Sequence, residues 1–286
     1  MDIKKRLKKL FLLKKWREEQ SRRQENSLPD PQICIDAPMV IGETVISFEN
    51  VENDIEEFYN LYQRMPDIDN TYGMKSPHLF LMWIALRQLS PTVVIESGIY
   101  KGLGTWWIEN AISPSASLFC IDVNMNNIEY KSSRAMYLDE DFSKHTWDGI
   151  DRKTAVIFFD DHQNALTRLM QMKWMGFTKA IFEDNYPPLQ GDCYSCKKIL
   201  SQSGFYLEST DRDPIPDMFF FKENVKNYQE FPPVFQVAAT RWGDTWDLPF
   251  YKTPNALLTT AKTPCQKLLL AQAATYTWMC FVELMS

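Results

Sequence analysis

The sequence predicts an α/β protein: a Rossmann-like, doubly wound and mostly parallel sheet, with N-terminal helices and an irregular C-terminal insertion before a closing strand. Three observations predict it. Short apolar runs alternate with helical stretches from residue 92 onward, the pattern of strand–helix–strand units. The run Thr154–Asp160 (TAVIFFD) is apolar up to its last residue, as a strand buried on both faces must be. Glycines and acids gather immediately after these runs, where open α/β sheets bind their ligands.

Taken in order, residues 1–24 hold ten Lys or Arg against Asp2, Glu18 and Glu19, so the head carries +7 and the remainder −13 of a net −6. Ile3, Leu7, Leu10, Phe11 and Leu13 share one broad side of a helix that Arg6 and Lys14 interrupt. The segment reads as a solvated terminal helix with at most weak contact to an anionic membrane surface. It lacks the apolar run and small-residue cleavage site of a signal peptide. Residues 20–35 are polar with two prolines and read as a linker, which makes 1–35 an extension and 36–286 a single domain.

Helices are expected at Ile55–Arg64, ended by Pro66, and at Ser76–Gln88, with Ser76 as N-cap and Pro77 at the first position. Strands then follow at Thr92–Glu96, Leu118–Asp122, Ala135–Leu138, Thr154–Asp160, Lys179–Phe182 and Gly204–Glu208. Helices alternate with them around Trp106–Ile112, at Asn164–Met175 with Gly176 past its end, and at Cys193–Ser201. Residues 211–265 are crowded with prolines and aromatics and show no clear period, so they read as an insertion or lid on the sheet's edge. Tyr276–Leu284 alternates well enough to be the closing strand.

Composition excludes several classes. Apolar residues at 45% and charged residues at 24% exclude a disordered or collagen-like chain. A body of −13 excludes nucleic-acid binding, which needs a basic surface. Six scattered cysteines make no disulfide scaffold, and reduced thiols in a soluble, cytoplasmic protein are the expectation. Leu268–Met285 is broken by Gln272, Thr275, Thr277 and Glu283 and is no membrane span.

Four strand ends carry chemistry. The turn Glu96-Ser97-Gly98-Ile99-Tyr100-Lys101-Gly102-Leu103-Gly104-Thr105 joins a strand to a helix, where glycines admit a close ligand and the helix offers free N–H groups. Its Gly-x-x-x-Gly-x-Gly spacing is neither the dinucleotide fingerprint nor a P-loop. Asp122 ends the next strand, where Rossmann-type folds bind a ribose diol. Asp160-Asp161-His162 and Glu183-Asp184-Asn185 end two further strands, and carboxylates converging there suit a hard cation; a helix cap or a proline turn is the alternative use of the same acids. His162 has the unperturbed pKa of a base near neutrality. Cys193 and Cys196 have CxxC spacing but no second pair for zinc and read as ordinary helix cysteines. His78 and His145 have no sequence partners and read as structural or surface residues. The segment 242–246 reads as packing of the insertion, and no Gly-x-Ser-x-Gly elbow marks a hydrolase.

The turn ESGIYKGLGT, the acid of LFCIDV and the strand ends FFDDH and AIFEDNYPP resemble class I S-adenosylmethionine-dependent methyltransferases. They are most similar to the metal-dependent small-molecule O-methyltransferases of catechol and caffeoyl-CoA type, and share much with the macrocin-type and cephalosporin hydroxylase-like branches. The resemblance spans roughly residues 76–210. It implies S-adenosylmethionine as cofactor, contacted by Glu96, Gly98, Tyr100, Gly102, Asp122 and Asp160. It implies Mg2+ or another divalent cation held by Asp160 or Asp161 with Asp184 and Asn185, and His162 near the cofactor or as catalytic base. The implied acceptor is a hydroxyl of a small molecule or sugar. The chain departs from the catechol type by Gln163 and Asn164, where a lysine belongs three residues after the first metal ligand. Two rival readings are a catalytically silent binding protein on the same fold and a metal-dependent nucleotide-sugar glycosyltransferase.

Overall fold

The computed structural model describes residues 38–188, 190–201, 216–241 and 252–286. The basic head, the linker, the expected strand Gly204–Glu208 and the segment 242–246 lie outside the described residues. Eight strands form one sheet: β1 (Val40–Ile41), β2 (Val93–Ser97), β3 (Ser117–Ile121), β4 (Ala135–Leu138), β5 (Ala155–Phe159), β6 (Lys179–Phe182), β7 (Val225–Glu230) and β8 (Cys280–Leu284). Their order is β1-β7-β8-β6-β5-β2-β3-β4. The run from β4 to β6 is parallel, while β8 lies antiparallel to both β6 and β7, and β7 to β1. The parallel part follows the 3-2-1-4-5 order of the Rossmann fold, so the fold class is Rossmann-like α/β.

Alternation along each strand divides the core between two faces. Val94, Cys120, Phe158, Ile181 and Phe281 point to one side, where α1 (Val51–Tyr62), α2 (Ser76–Leu89), α3 (Leu103–Ala111) and α7 (Pro264–Ala271) cover them. The Phe58 ring stacks on Trp107 there, with centroids 4.5 Å apart. Ile95, Ile157, Ala180 and Val282 point to the other, under α4 (Ala165–Met175), α5 (Cys196–Leu200) and α6 (Pro216–Asn224). Among the described residues no helix is long and apolar enough to cross a membrane.

Several expectations need correction. Ser76 is the first helical residue, not the cap: Lys75 occupies the N-cap without a side-chain bond. The helix expected at Cys193–Ser201 begins only at Cys196, because the Ser195 side chain accepts the Lys198 N–H and caps it there. The stretch 211–265 is not irregular throughout. It supplies α6 and β7, and β7 is an interior strand whose polar side chains hid it. Asn227 and Gln229 are buried, and both serve the β1 segment: Asn227 Oδ1 accepts the Glu43 N–H, and Gln229 Oε1 accepts those of Val45 and Ile46.

Glu230, also in β7, is 2% exposed and accepts the Lys197 ammonium on both oxygens at 2.7 Å, with Lys197 itself 3% exposed. A buried charge without its partner keeps its full desolvation cost. Lys197→Met should therefore destabilise the fold by about 3–5 kcal/mol in urea denaturation. Lys197→Met/Glu230→Met should cost clearly less, and equal costs for the two proteins would refute this account.

Candidate active site

The strand registers set the site. Ser97 pairs with Ile121 and with Phe159, and Phe159 with Phe182. The next residue of each chain segment, Gly98, Asp122, Asp160 and Glu183, therefore stands in one row along the carboxyl rim. All four line a cavity of about 1340 Å³.

Gly98, at φ +97°, has no room for a side chain: a Cβ would stand 2.1 Å from the Asp160 carbonyl oxygen. The residue is needed to bring the β2 turn against the end of β5 at the switch point between them. Asp122 Oδ2 accepts the N–H groups of Ile99 and Tyr100, each at 3.0 Å, and Oδ1 that of Asn124 at 2.8 Å. It thus fixes the turn, while a carboxylate's further lone pairs leave acceptor capacity toward the cavity. Tyr100 also lines the cavity.

Two expected cofactor contacts are misplaced. Glu96 is 1% exposed, is not part of the cavity wall, and accepts a hydrogen bond from Thr105 at the start of α3. Strand alternation aims it into the α3 face, and burial pushes its carboxyl up to about 8, so it is a neutral acid at pH 7. Gly102, the left-handed N-cap of α3, faces the Tyr130 carbonyl oxygen, which its Cβ would approach to 2.3 Å.

The acids divide by partner. Asp161 Oδ2 accepts Ser97 Oγ at 2.6 Å and the buried Arg168 guanidinium at 2.7 Å, which neutralises it, so it is not a free metal ligand. Asn185 is fully buried away from the cavity; its Oδ1 accepts the Lys197 N–H at 2.8 Å and its Nδ2 donates to Tyr228 Oη at 2.9 Å. Both functions of the amide are spent, so Asn185 is not a metal ligand either. Asp160 and Asp184 remain. Asp184 is 7% exposed, and neither carboxylate oxygen makes an aligned hydrogen bond. Burial, then the neighbouring Asp184, raise Asp160 well above the usual carboxylate range, and burial with Asp184 and Asp160 does the same to Glu183. Burial opposes ionisation of Asp184 as well, yet the adjacent His162 outweighs it and holds that carboxyl low.

His162 is half exposed and sits in the left-handed region at φ +52°. Its Nδ1 lies 2.9 Å from Asp184 Oδ2 and 3.1 Å from Asp192 Oδ1. Those two carboxylates raise its pKa to about 11. That pairing favours the imidazolium and opposes the catalytic-base role the resemblance implies.

Sequence reasoning missed His78. It is 2% exposed on the first turn of α2, lines the cavity, has no hydrogen bond on either ring nitrogen, and stands 3.5 Å from Glu183 Oε1. Burial lowers its pKa to about 3, leaving it neutral. The signal was available: Leu79–Leu86 (LFLMWIAL) is apolar throughout, the mark of a helix buried all round, and with Ser76–Leu86 buried a histidine at its first turn must face something. Arg168, between Asp141 and Asp161, was also missed. Cys193 and Cys196 are buried free thiols.

No family model matches the sequence, and no curated protein does. Among solved structures the chain is similar to the O-methyltransferase TomG from Streptomyces achromogenes, involved in tomaymycin synthesis and in complex with S-adenosylmethionine. The identity is 8% over 82% of this chain and 90% of that one, with a TM-score of 0.43. It is similar to the O-methyltransferase from Bacillus cereus in complex with S-adenosylhomocysteine, at 14% identity over 60% and 77% of the two chains and a TM-score of 0.36. It is similar to a methyltransferase from Geobacter sulfurreducens, at 20% identity over 47% and 68% and a TM-score of 0.32.

Gly98 and Gly149 both have positive φ, but nothing lies within 4 Å of a Cβ at Gly149. Gly149→Ala should cost about 1–2 kcal/mol of left-handed strain, and Gly98→Ala distinctly more in thermal melts; equal losses would remove the close-approach role of Gly98. Arg168, with smaller help from Ser143, holds Asp141 below its ordinary pKa of 3.8. A lowered folded pKa means its contribution is present above pH 3.8 and fades as the pH falls toward the folded value. Asp141→Asn should flatten the acid arm of the stability–pH profile, and an unchanged arm would show the pair to be idle.

Proposed function

We propose that this chain is an S-adenosylmethionine-dependent methyltransferase that methylates a hydroxyl of a small molecule or sugar, assisted by a divalent cation. The observation that carries the reading is the rim itself: a glycine turn and Asp122, joined by two hydrogen bonds, flank the switch point of a Rossmann-ordered sheet and open on one large cavity. The charge of the cavity supports the same cofactor. Among the described residues its wall holds seven acids against Lys75, Arg168, Arg241 and His162, with Arg168 paired to Asp141 and Asp161 and His162 to Asp184 and Asp192. An acidic wall suits a ligand bearing a sulfonium and an ammonium group. It disfavours a nucleotide-sugar diphosphate, whose charge calls for free cationic donors.

Bound S-adenosylmethionine supplies a sulfonium methyl to an oxygen nucleophile. In this reading Asp122 accepts hydrogen bonds from the ribose diol, and the tight turn at Gly98 and Tyr100 lets the backbone approach the cofactor. Asp160 and Asp184 fit a cation on the acceptor side, whereas Asp161 and Asn185 do not. His78, Glu183 and Tyr186 wall that half of the cavity and shape what hydroxyl compound enters it.

The silent-binder reading is favoured by one observation, Gln163 and Asn164 at the positions where the resemblance calls for a lysine. Transfer of a labelled methyl group to a panel of hydroxyl compounds separates it from catalysis. The cofactor itself is tested by calorimetric titration: S-adenosylmethionine should bind, and Asp122→Ala should weaken it by roughly 10–100-fold, the worth of one or two hydrogen bonds to a charged group. No binding to the unmodified protein at millimolar cofactor would end the methyltransferase reading.

A further inference from the structure

The oxygen-only cation site implied by the resemblance does not match the side chains at the rim. Two of its four candidate ligands, Asp161 and Asn185, are committed elsewhere, to Arg168 and to the Lys197 and Tyr228 partners. What converges instead is a mixed set. One carboxylate oxygen each from Asp160 and Asp184 and one ring nitrogen of His162 lie within 4.8 Å of one another. Three features make this cluster more than a group of surface acids. Asp184 is 7% exposed, faces the cavity, and has no aligned hydrogen bond on either oxygen. The His162 Nδ1 to Asp184 Oδ2 separation of 2.9 Å is close to the edge of a coordination polyhedron, about 3 Å for metal–ligand bonds of about 2.1 Å. His162 also holds a left-handed backbone, at φ +52°, a conformation uncommon for non-glycine residues.

Ligand chemistry then selects the ion. Mg2+ wants near-octahedral oxygen donors and sheds its waters reluctantly. Imidazole nitrogen suits the transition ions, and three protein ligands with an open position are the pattern of catalytic rather than structural sites. We propose that Asp160, His162 and Asp184 form a site for a divalent transition cation, of the manganese-to-zinc series in preference to Mg2+, with His162 as a ligand. The proposal refines the cation of the methyltransferase reading and rests on it only for the use made of the open position. A divalent ion there takes the place of the hydrogen that Nδ1 shares with Asp184 and Asp192, so Asp192 gives up that contact when the metal binds.

The test uses the full chain, Mn2+ and Mg2+ as probes, and two readouts other than turnover. Competition calorimetry should give tighter binding of Mn2+ than of Mg2+. Pulsed electron paramagnetic resonance of the Mn2+ complex should show coupling to one imidazole nitrogen. His162→Gln should abolish that coupling and weaken Mn2+ by roughly 10–100-fold, while Asp184→Asn should remove the site for both ions. The resonance spectrum of the unmodified protein needs no variant, so a poorly folding variant leaves the test intact. Equal affinities with no nitrogen coupling would overturn the proposal in favour of an oxygen-only site. A protein that binds S-adenosylmethionine but neither Mn2+ nor Mg2+ would overturn it and leave the methyltransferase reading standing. Failure of both cofactor and metal to bind would end both.

Discussion

The strands β2, β3, β5 and β6 end level with one another, and most of what the molecule offers chemically follows from that alignment. Side chains along the strands are buried on both faces of the sheet by helices, so charge on these strands is expensive everywhere except at their ends. Successive strands stand about 4.8 Å apart, which spreads the row from Asp122 to Glu183 over about 14 Å. That span lets one cavity run along the rim from β3 and β2 to β5 and β6. Gly98 locks the two parts of the rim together, because its backbone rests on that of Asp160 and leaves no space for a side chain between them.

Packing so many carboxylates along one rim creates repulsion, and each acid is stabilised in its own way. Asp161 and Asp141 share the buried Arg168. Glu96 is pushed toward its neutral form, since burial costs more than its hydrogen bonds from Thr105 and Cys120 return. Asp122 spends its charge on the N–H groups of the turn. Asp160 and Glu183 are pushed toward the neutral form by burial and by Asp184, whose own charge is kept by His162. Only the Asp160–Asp184 pair depends on a mobile charge, a proton on the imidazole or something that replaces it, and this is where the rim is poised rather than settled.

The parallel half of the fold was legible in the sequence because its signals are local. Lys179–Phe182 and Ala135–Leu138 read correctly from apolar runs between turns, and Asn164 was found at the head of α4, where its side chain accepts the Thr167 N–H. In the antiparallel half the closing strand was legible as Tyr276–Leu284, of which Cys280–Leu284 forms β8, but β7 (VKNYQE) was not, since it carries buried polar residues whose partners lie far away in the chain. Its burial is made tolerable by the β1 segment and by Lys197, neither of which leaves a periodic trace. The rim showed the same division. Which residues follow a strand is local information, and Gly98, Asp122, Asp160 and Asp184 were identified from it. Where a side chain turns after the strand ends is tertiary information, and it misplaced Glu96, Gly102, Asp161 and Asn185 and hid His78.

Asn185 shows how a ligand position becomes a scaffold. The loop after β6 is clamped from one neighbour: Thr277 Oγ1 donates to the Glu183 carbonyl at 2.8 Å, and the Asn185 N–H donates to the Thr277 carbonyl at 3.1 Å. With both flanks pinned, Asp184 faces the cavity and Asn185 is directed inward, to Tyr228 and to the first turn of α5. Tyr228 in turn reaches Glu230, and Glu230 the ammonium of Lys197, so a closed circuit of buried polar groups stands behind one exposed-facing acid. Such a circuit is costly unless every member is satisfied, and here its satisfaction depends on Asn185 staying inside. An amide recruited to that circuit is turned away from the cavity, and the side chain that meets Asp184 on the cavity side is His162, 2.9 Å away.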